Sequence, residues 1–398
     1  MSVHPTLHPT LHPTIDQQLK RSGSSRRDFI TLCGKLMVAA PFGLAITNFL
    51  SPEAVAGVIG KARRPSVIWL HMQDCTGCTE TLLRTSEPDL ASLIFDVISL
   101  DYHETIMAAS GTDAEAALHD AMTQNDGKYV LIVEGSIPTG ENGNYLKIAG
   151  RNGIDMLKDV ASHAAAVIAI GSCSSWGGIP SSGPNPTGAV GVDSIIKNKP
   201  VVNIPGCPPN PYIVLGTVLE YATTGKLPKL DAKGRPLFAF DRLIHDHCPR
   251  RAHFDAGRFA GVFGDDAHRN GWCLYKLGCK GPVTHSSCST RHFNEVVDAW
   301  PIGIGHPCFG CAEKSVGYTI PLFTLAPIND PKPTSMYPPI STSRGIVEAS
   351  AAGTAGIVGG ILLGAGYVAA RKFPSSSTPP PPAPGADEEV VSDTGAES

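Results

Sequence analysis

Between residues 65 and 225 the chain alternates short, uniformly apolar runs with segments of helical period. The runs are "PSVIWLHM", "FDVISLDY", "KYVLIVEGS", "AAVIAIGSC" and "PVVNIPGC", and the helical patterns are "DAEAALHDAM", "NGIDMLKDVASHA" and "PYIVLGTVLEYATTG". Strands that are apolar at every position are buried on both faces, and their alternation with helices is the βαβ signature of a parallel sheet. An α/β fold is therefore expected. Three of the runs lead into cysteine: Cys75 and Cys78 follow the first, Cys173 ends the fourth and Cys207 ends the fifth. Ligand sites of open α/β sheets gather at the carboxyl ends of strands, so these four cysteines are expected at one sheet edge. From about 236 to 340 the periodicity disappears and cysteines become dense, which suggests metal centres in place of an extended core.

The two ends read differently. Arg26 and Arg27 precede Phe29 and an apolar run from Leu36 to Leu50, and Ala54-Val55-Ala56 offers a small-residue cleavage site. This is the pattern of a twin-arginine export signal over 1–56. Residues 349–370 carry no charge and are followed by Arg371 and Lys372. A run of that length matches the roughly 20 residues needed to cross a bilayer, so 346–372 is read as a transmembrane helix. The basic flank on its C-terminal side puts the tail 373–398, Pro-rich and then acidic, in the cytoplasm and the globular part in the periplasm. Gly356, Gly360 and Gly364 fall on one face of that helix, as in close helix pairs and equally as in ordinary membrane helices.

Composition narrows the function. With 32 basic and 36 acidic residues there is no electrostatic hold for nucleic acid. The 42 glycines and 34 prolines imply long loops held by something other than regular structure. Of 11 cysteines, Cys33 lies in the leader, leaving ten. Together with His245, three residues before Cys248, they make eleven candidate ligands. Disulfides leave the C-x-x-C spacing and the strand-end clustering unexplained. Zinc wants groups of four, and a thioredoxin-like pair uses only Cys75 and Cys78. Two four-ligand centres and one three-ligand centre account for all eleven. His247 competes with His245, whereas His306 reads as a packing or hydrogen-bonding residue. Unfilled C-x-x-C pairs would oxidise in the periplasm, but the twin-arginine route exports proteins already folded around their cofactors.

The motifs "CTGCTE", "GSCSSWGG", "PGCPPNP", "HDHCPRRAHFDAGRF", "GWCLYKLGCKGP" and "GHPCFGC", in this order between a twin-arginine leader and a C-terminal apolar helix, resemble the small subunit of membrane-bound nickel-iron hydrogenases. The resemblance spans residues 25–371. It implies a flavodoxin-like parallel-sheet domain (57–235) with a proximal 4Fe-4S cluster on Cys75, Cys78, Cys173 and Cys207. A loop-rich domain (236–345) would carry a distal 4Fe-4S cluster on His245, Cys248, Cys273 and Cys279 and a medial 3Fe-4S cluster on Cys288, Cys308 and Cys311. Pro301 lies where a fourth medial ligand would be expected. The implied partners are a large subunit holding the nickel-iron site and a quinone-linked acceptor in the inner membrane. No residue of this chain is left over for nickel. Oxygen-tolerant relatives carry two further cysteines at the proximal site; here Gly77 occupies the inner position and no cysteine occurs between Cys78 and Cys173, which implies the oxygen-sensitive type. A membrane-anchored multi-cluster ferredoxin serving another oxidoreductase is the alternative that the residues leave open.

Overall fold

The computed structural model describes residues 14–22, 30, 60, 62–85, 90–293 and 296–328. Five strands, β1 (Ser66–His71), β2 (Ser99–His103), β3 (Val130–Glu134), β4 (Ala166–Ile170) and β5 (Val201–Ile204), form one sheet in the order β2-β1-β3-β4-β5. Every neighbouring pair is parallel, with Val67 beside Val130, Val130 beside Ala166 and Val167 beside Val201. This is the doubly wound order of flavodoxin-like folds, whose strand order reverses between β1 and β3.

Alternate strand residues enter opposite cores, as a period of two requires. Val67, Trp69, Val130, Ile132, Ile168 and Ile170 face one layer with Leu215 and Leu219 of helix α6 (Pro211–Thr224). Ile68, Leu70, Leu131, Val133, Val167 and Ala169 face the other. There they meet Leu118 of α3 (Thr112–Gln124) and Met156, Leu157 and Val160 of α4 (Gly153–His163). Asn152 and Asn210 cap α4 and α6 by accepting from Ile154 N and Tyr212 N, and Pro211 at the first helical position suits the start of α6. Two helices follow strands directly at the sheet edge: α2 (Gly77–Leu83), on the turn after β1, and α5 (Gly171–Trp176), directly after β4.

One strand is shorter than its apolar run. "FDVISLDY" reads as extended from residue 95, but Leu93–Val97 forms a π-helical turn and β2 begins at Ser99. Leu93 and Val97, four apart and both buried, present a helical face to the core. Arg64 anchors the turn by donating to the carbonyls of Ile94 and Ile98.

Helix α1 (Ile15–Ser22) lies in the segment read as a leader. Thr14 and Gln17 form a reciprocal capping box, Ile15 N donates to Ala62 O, and buried Ile15 and Leu19 pack in the core with Leu93 and Val97. Arg26, Arg27, the cleavage site and residues 346–398 lie outside the described residues. Among the described residues no helix is long and apolar enough to cross a membrane.

After residue 236 the chain forms short helical turns, including Ile244–His247, Arg251–Asp255 and Tyr275–Leu277, around a small core of Ile244, Ala260, Leu274, Trp300 and Ile302. The described residues belong to one compact unit. Within it Ala239, Phe240 and Ala312 reach into the sheet's own core.

Candidate iron-sulfur sites

The proximal group is built where the strand order reverses. Thr76, in a left-handed conformation, turns the chain between β1 and α2 and carries Cys75 and Cys78 around one corner. Asp74 fixes that corner by accepting from Thr76 N at 2.7 Å and meeting His71 Nδ1 at 3.0 Å. Glu134, at the end of β3 and 1% exposed, accepts from Cys78 N at 2.9 Å, Thr79 Oγ1 at 2.6 Å and Trp69 Nε1 at 3.1 Å. Cys173 comes from α5 and Cys207 from the loop after β5, so the four predicted residues do converge on one edge. Glycine makes the approach possible: at Gly171 (φ +85°) a Cβ would stand 2.6 Å from Cys78 Sγ, and at Gly178 (φ +56°) 2.6 Å from Cys173 Sγ.

The electrostatics of this corner disfavour bare thiolates. Burial, then the charges of Glu134, Cys173, Cys207 and Cys75, push the Cys78 thiol well above its ordinary value. Burial, with Cys207 next, pushes Cys173 up to about 12. Burial also pushes Cys207 up, and three raised thiols beside the exposed Cys75 suit a cationic iron core.

Cys288, Cys308 and Cys311 line a second cavity, of about 70 Å³, together with Cys207, Trp300 and Pro301. Ser286 Oγ lies 3.1 Å from Cys288 Sγ. Burial pushes Cys311 up, with contributions from Cys288 and Cys207, so the medial group adjoins the proximal one. Pro301 stands at this cavity and offers no thiol.

A third cavity, of about 10 Å³, is lined by His245, Cys248, Cys273 and Cys279. The structure thus brings His245, not His247, to the wall beside the three cysteines. Burial, then Arg251, pushes the imidazole down to about 4, which keeps it neutral and able to ligate. Phe254 holds its orientation, edge to face at 4.5 Å between centroids. Burial pushes Cys248 up to about 12 and Cys273 up to about 11. Cys308 is pushed up by burial and then by Cys279, so the distal group adjoins the medial one in turn.

The donor spacing separates the uses of cysteine. All ten cysteines of the described residues are unbridged. A single zinc holds sulfurs at about 2.3 Å and therefore within roughly 4 Å of each other. Among the described residues, however, three ligand atoms come within 4.8 Å of one another only for His71, Asp74 and Glu134, so no cysteine set makes the shell of one ion. His71 and Asp74 bond to each other and Glu134 bonds to Cys78 N and Thr79 Oγ1, whereas a cluster, in which each ligand caps its own iron, needs no three donors that close together.

Several residues at these sites escaped the sequence reading. Glu134 could have been suspected as the one charge ending an all-apolar run. Lys280, between Cys279 and Gly281, is fully buried. Buried Arg235 joins the first layer to the medial loop, donating to Ala312 O at 2.9 Å and Glu313 Oε2 at 3.0 Å. Tyr318 faces Cys207, Cys311 and Cys173, whose charges, after burial, push its phenol up.

Comparison with known proteins shows the family to which the chain belongs. Residues 75–221 match the family described as NADH ubiquinone oxidoreductase, 20 Kd subunit, and residues 240–324 match the C-terminal family of NiFe/NiFeSe hydrogenase small subunits. The Hydrogenase-2 small chain of Escherichia coli (strain K12) is 48% identical over 355 residues, 88% of this chain and 93% of that one. The Quinone-reactive Ni/Fe-hydrogenase small chain of Wolinella succinogenes is 44% identical over 321 residues, 80% of this chain and 87% of that one. Among solved structures, the [NiFeSe]-hydrogenase of Dm. baculatum superposes with a TM-score of 0.61 at 34% identity, covering 67% of this chain and all of the matched chain. The chain is a member of the nickel-iron hydrogenase small-subunit family, the electron-transferring partner in that heterodimeric enzyme.

Proposed function

We propose that this protein relays electrons from hydrogen oxidation in the large subunit through three iron-sulfur centres to a quinone-linked acceptor in the inner membrane. Cys75, Cys78, Cys173 and Cys207 would hold the proximal 4Fe-4S cluster, and Cys288, Cys308 and Cys311 the medial 3Fe-4S cluster. His245, Cys248, Cys273 and Cys279 would hold the distal 4Fe-4S cluster. The observation that carries the reading is the serial adjacency of the three groups: Cys207 lines the same cavity as Cys288, Cys308 and Cys311, and Lys280 N, next to Cys279, donates to Cys308 O at 2.7 Å.

When bound, such clusters supply one-electron carriers whose potentials follow ligand type, hydrogen bonding and burial. The rest is work for this chain's own residues. Glu134 and Asp74 hold the first turn in one conformation, which limits reorganisation around Cys75 and Cys78. Ser172 Oγ donates to Cys311 O at 2.7 Å and accepts from Gly206 N at 3.1 Å, tying the proximal loops to the medial one. His245 brings no charge to the distal group, unlike a thiolate, and its second ring nitrogen can donate outward at the exit end. At the inner C-x-x-C position, a Cβ on Gly77 would stand 3.1 Å from Cys75 Sγ. That position supplies no extra thiolate, in keeping with a one-electron proximal centre and an oxygen-sensitive enzyme.

The quinone-reactive name of the Wolinella relative supports the membrane acceptor, and the twin-arginine pattern with the 349–370 apolar run supports a periplasm-facing, membrane-anchored protein. The test is Cys308→Ser in the complete complex. Under hydrogen the proximal cluster should reduce at the wild-type rate while distal reduction slows by roughly tenfold or more, as loss of a middle relay requires. Equal rates at both ends would reject the serial route.

A further inference from the structure

Lys280 lies between two ligand groups rather than in either. Its side chain is completely buried, an uncommon place for an ammonium unless paired. Lys233 and Lys314 pair with Glu313 and Asp193, but among the described residues no carboxylate pairs with Lys280. Its Nζ donates to Pro321 O at 3.1 Å. The backbone is pinned on both sides, Lys280 N donating to Cys308 O at 2.7 Å and Lys280 O accepting from Thr284 Oγ1 at 2.6 Å. The stem also has its own berth: a Cβ on Gly310 (φ +78°) would come within 3.2 Å of Lys280 Cδ, so the glycine of "CFGC" clears its path. Cys279 of the distal group is its sequence neighbour and Cys308 of the medial group accepts its backbone N–H, so the residue stands between the two sulfur sets, and Cys308 and Cys279 both act on the ammonium.

We propose that Lys280 is a fixed positive charge shared by the medial and distal clusters, raising the reduction potential of both relative to an uncharged residue at the same place. The proposal rests on the three-cluster reading above. Each relay step adds one electron to a centre and so one negative charge beside the ammonium. A buried cation stabilises that reduced state in a low-dielectric surrounding, whereas a surface lysine would be screened. The proximal cluster, whose ligands do not adjoin Lys280, should be unaffected. Lys280 is thus a positioning residue for charge, not a ligand, and it biases electrons toward the outer two centres.

The experiment is a redox titration of the full complex, followed by electron paramagnetic resonance, for wild type, Lys280→Met, Lys280→Gln and Lys280→Arg. Met removes the charge and keeps the apolar stem; Gln also keeps a donor for Pro321 O. The expected result is a tenfold or larger change in the oxidised-to-reduced ratio at fixed potential for both outer clusters, or 59 mV toward lower potential for one electron, with Arg restoring most of it. Medial and distal potentials unchanged in both uncharged variants, or an equal shift of the proximal cluster, would overturn the proposal. So would loss of a cluster from both uncharged variants, because a charge needed for assembly is not a tuning charge. Absence of the three signals from wild type would instead reject the cluster reading itself.

Discussion

Replacing Arg235 by Met should loosen the medial loop selectively. Arg235 is 3% exposed and binds Asp231 through Nε at 2.8 Å, while its NH1 reaches Ala312 O and Glu313 Oε2 directly after Cys311. Glu313, also 3% exposed, would keep, among the described residues, only exposed Lys233 and the donors of His285. Removing one partner of a buried pair costs about 3–5 kcal/mol, because the other charge is left uncompensated. The surviving Lys233 contact points to the low end, about 3 kcal/mol, or roughly a hundredfold in the population of the open loop. Hydrogen exchange on the full complex reads this directly through the amides of Glu313, Val316, Gly317 and Ile320, which are bonded within the loop. They should exchange roughly a hundredfold faster, while amides of β3 and β4 keep their rates. Adding Glu313→Met should recover much of the protection, since it removes the stranded carboxylate from the medial loop, while Asp231 keeps its backbone donors Lys233 N and Arg235 N. An acceleration of less than about threefold, or no recovery in the double variant, would refute the argument that this ion pair clamps the medial loop.

Gly171→Ala should cost the proximal cluster and spare the other two, because the new Cβ would stand 2.6 Å from Cys78 Sγ at a backbone φ of +85°; iron analysis with cluster spectra checks this, and a complete proximal signal would contradict it. His245→Ala should alter only the distal spectrum and slow electron exit, and an unaltered distal spectrum would move the ligand to His247. Replacing Arg26 and Arg27 together by Lys should strand loaded enzyme in the cytoplasm, and unchanged periplasmic activity would mean that export is read from elsewhere.

The sheet was legible because its strands are apolar on both faces, so that five runs and three helical patterns were visible without any partner information. The exception is instructive: in "LIFDV" the positions that matter are Leu93 and Val97, and their four-residue spacing was hidden by apolar neighbours that also read as strand. Ligand residues were legible because cysteine beside glycine or proline is rare enough to stand out, and the structure gathers Cys75, Cys78, Cys173 and Cys207 at the sheet edge as the strand ends suggested. The supporting charges were not. Arg235 and Glu313 are 78 residues apart and share no local pattern, and Lys280 looks like any surface lysine until its burial is seen. Helix α1 was hidden for a different reason: "IDQQLKRS" is mostly polar, and only Ile15 and Leu19, four apart, mark the face that packs.

The most direct measurement is the metal content of the anaerobically purified protein, with acid-labile sulfide and low-temperature electron paramagnetic resonance on the same sample. The account predicts about eleven irons per chain, no zinc, and three distinguishable cluster signals, one of them of the 3Fe-4S type. Stoichiometric zinc, or iron near four per chain, would contradict it.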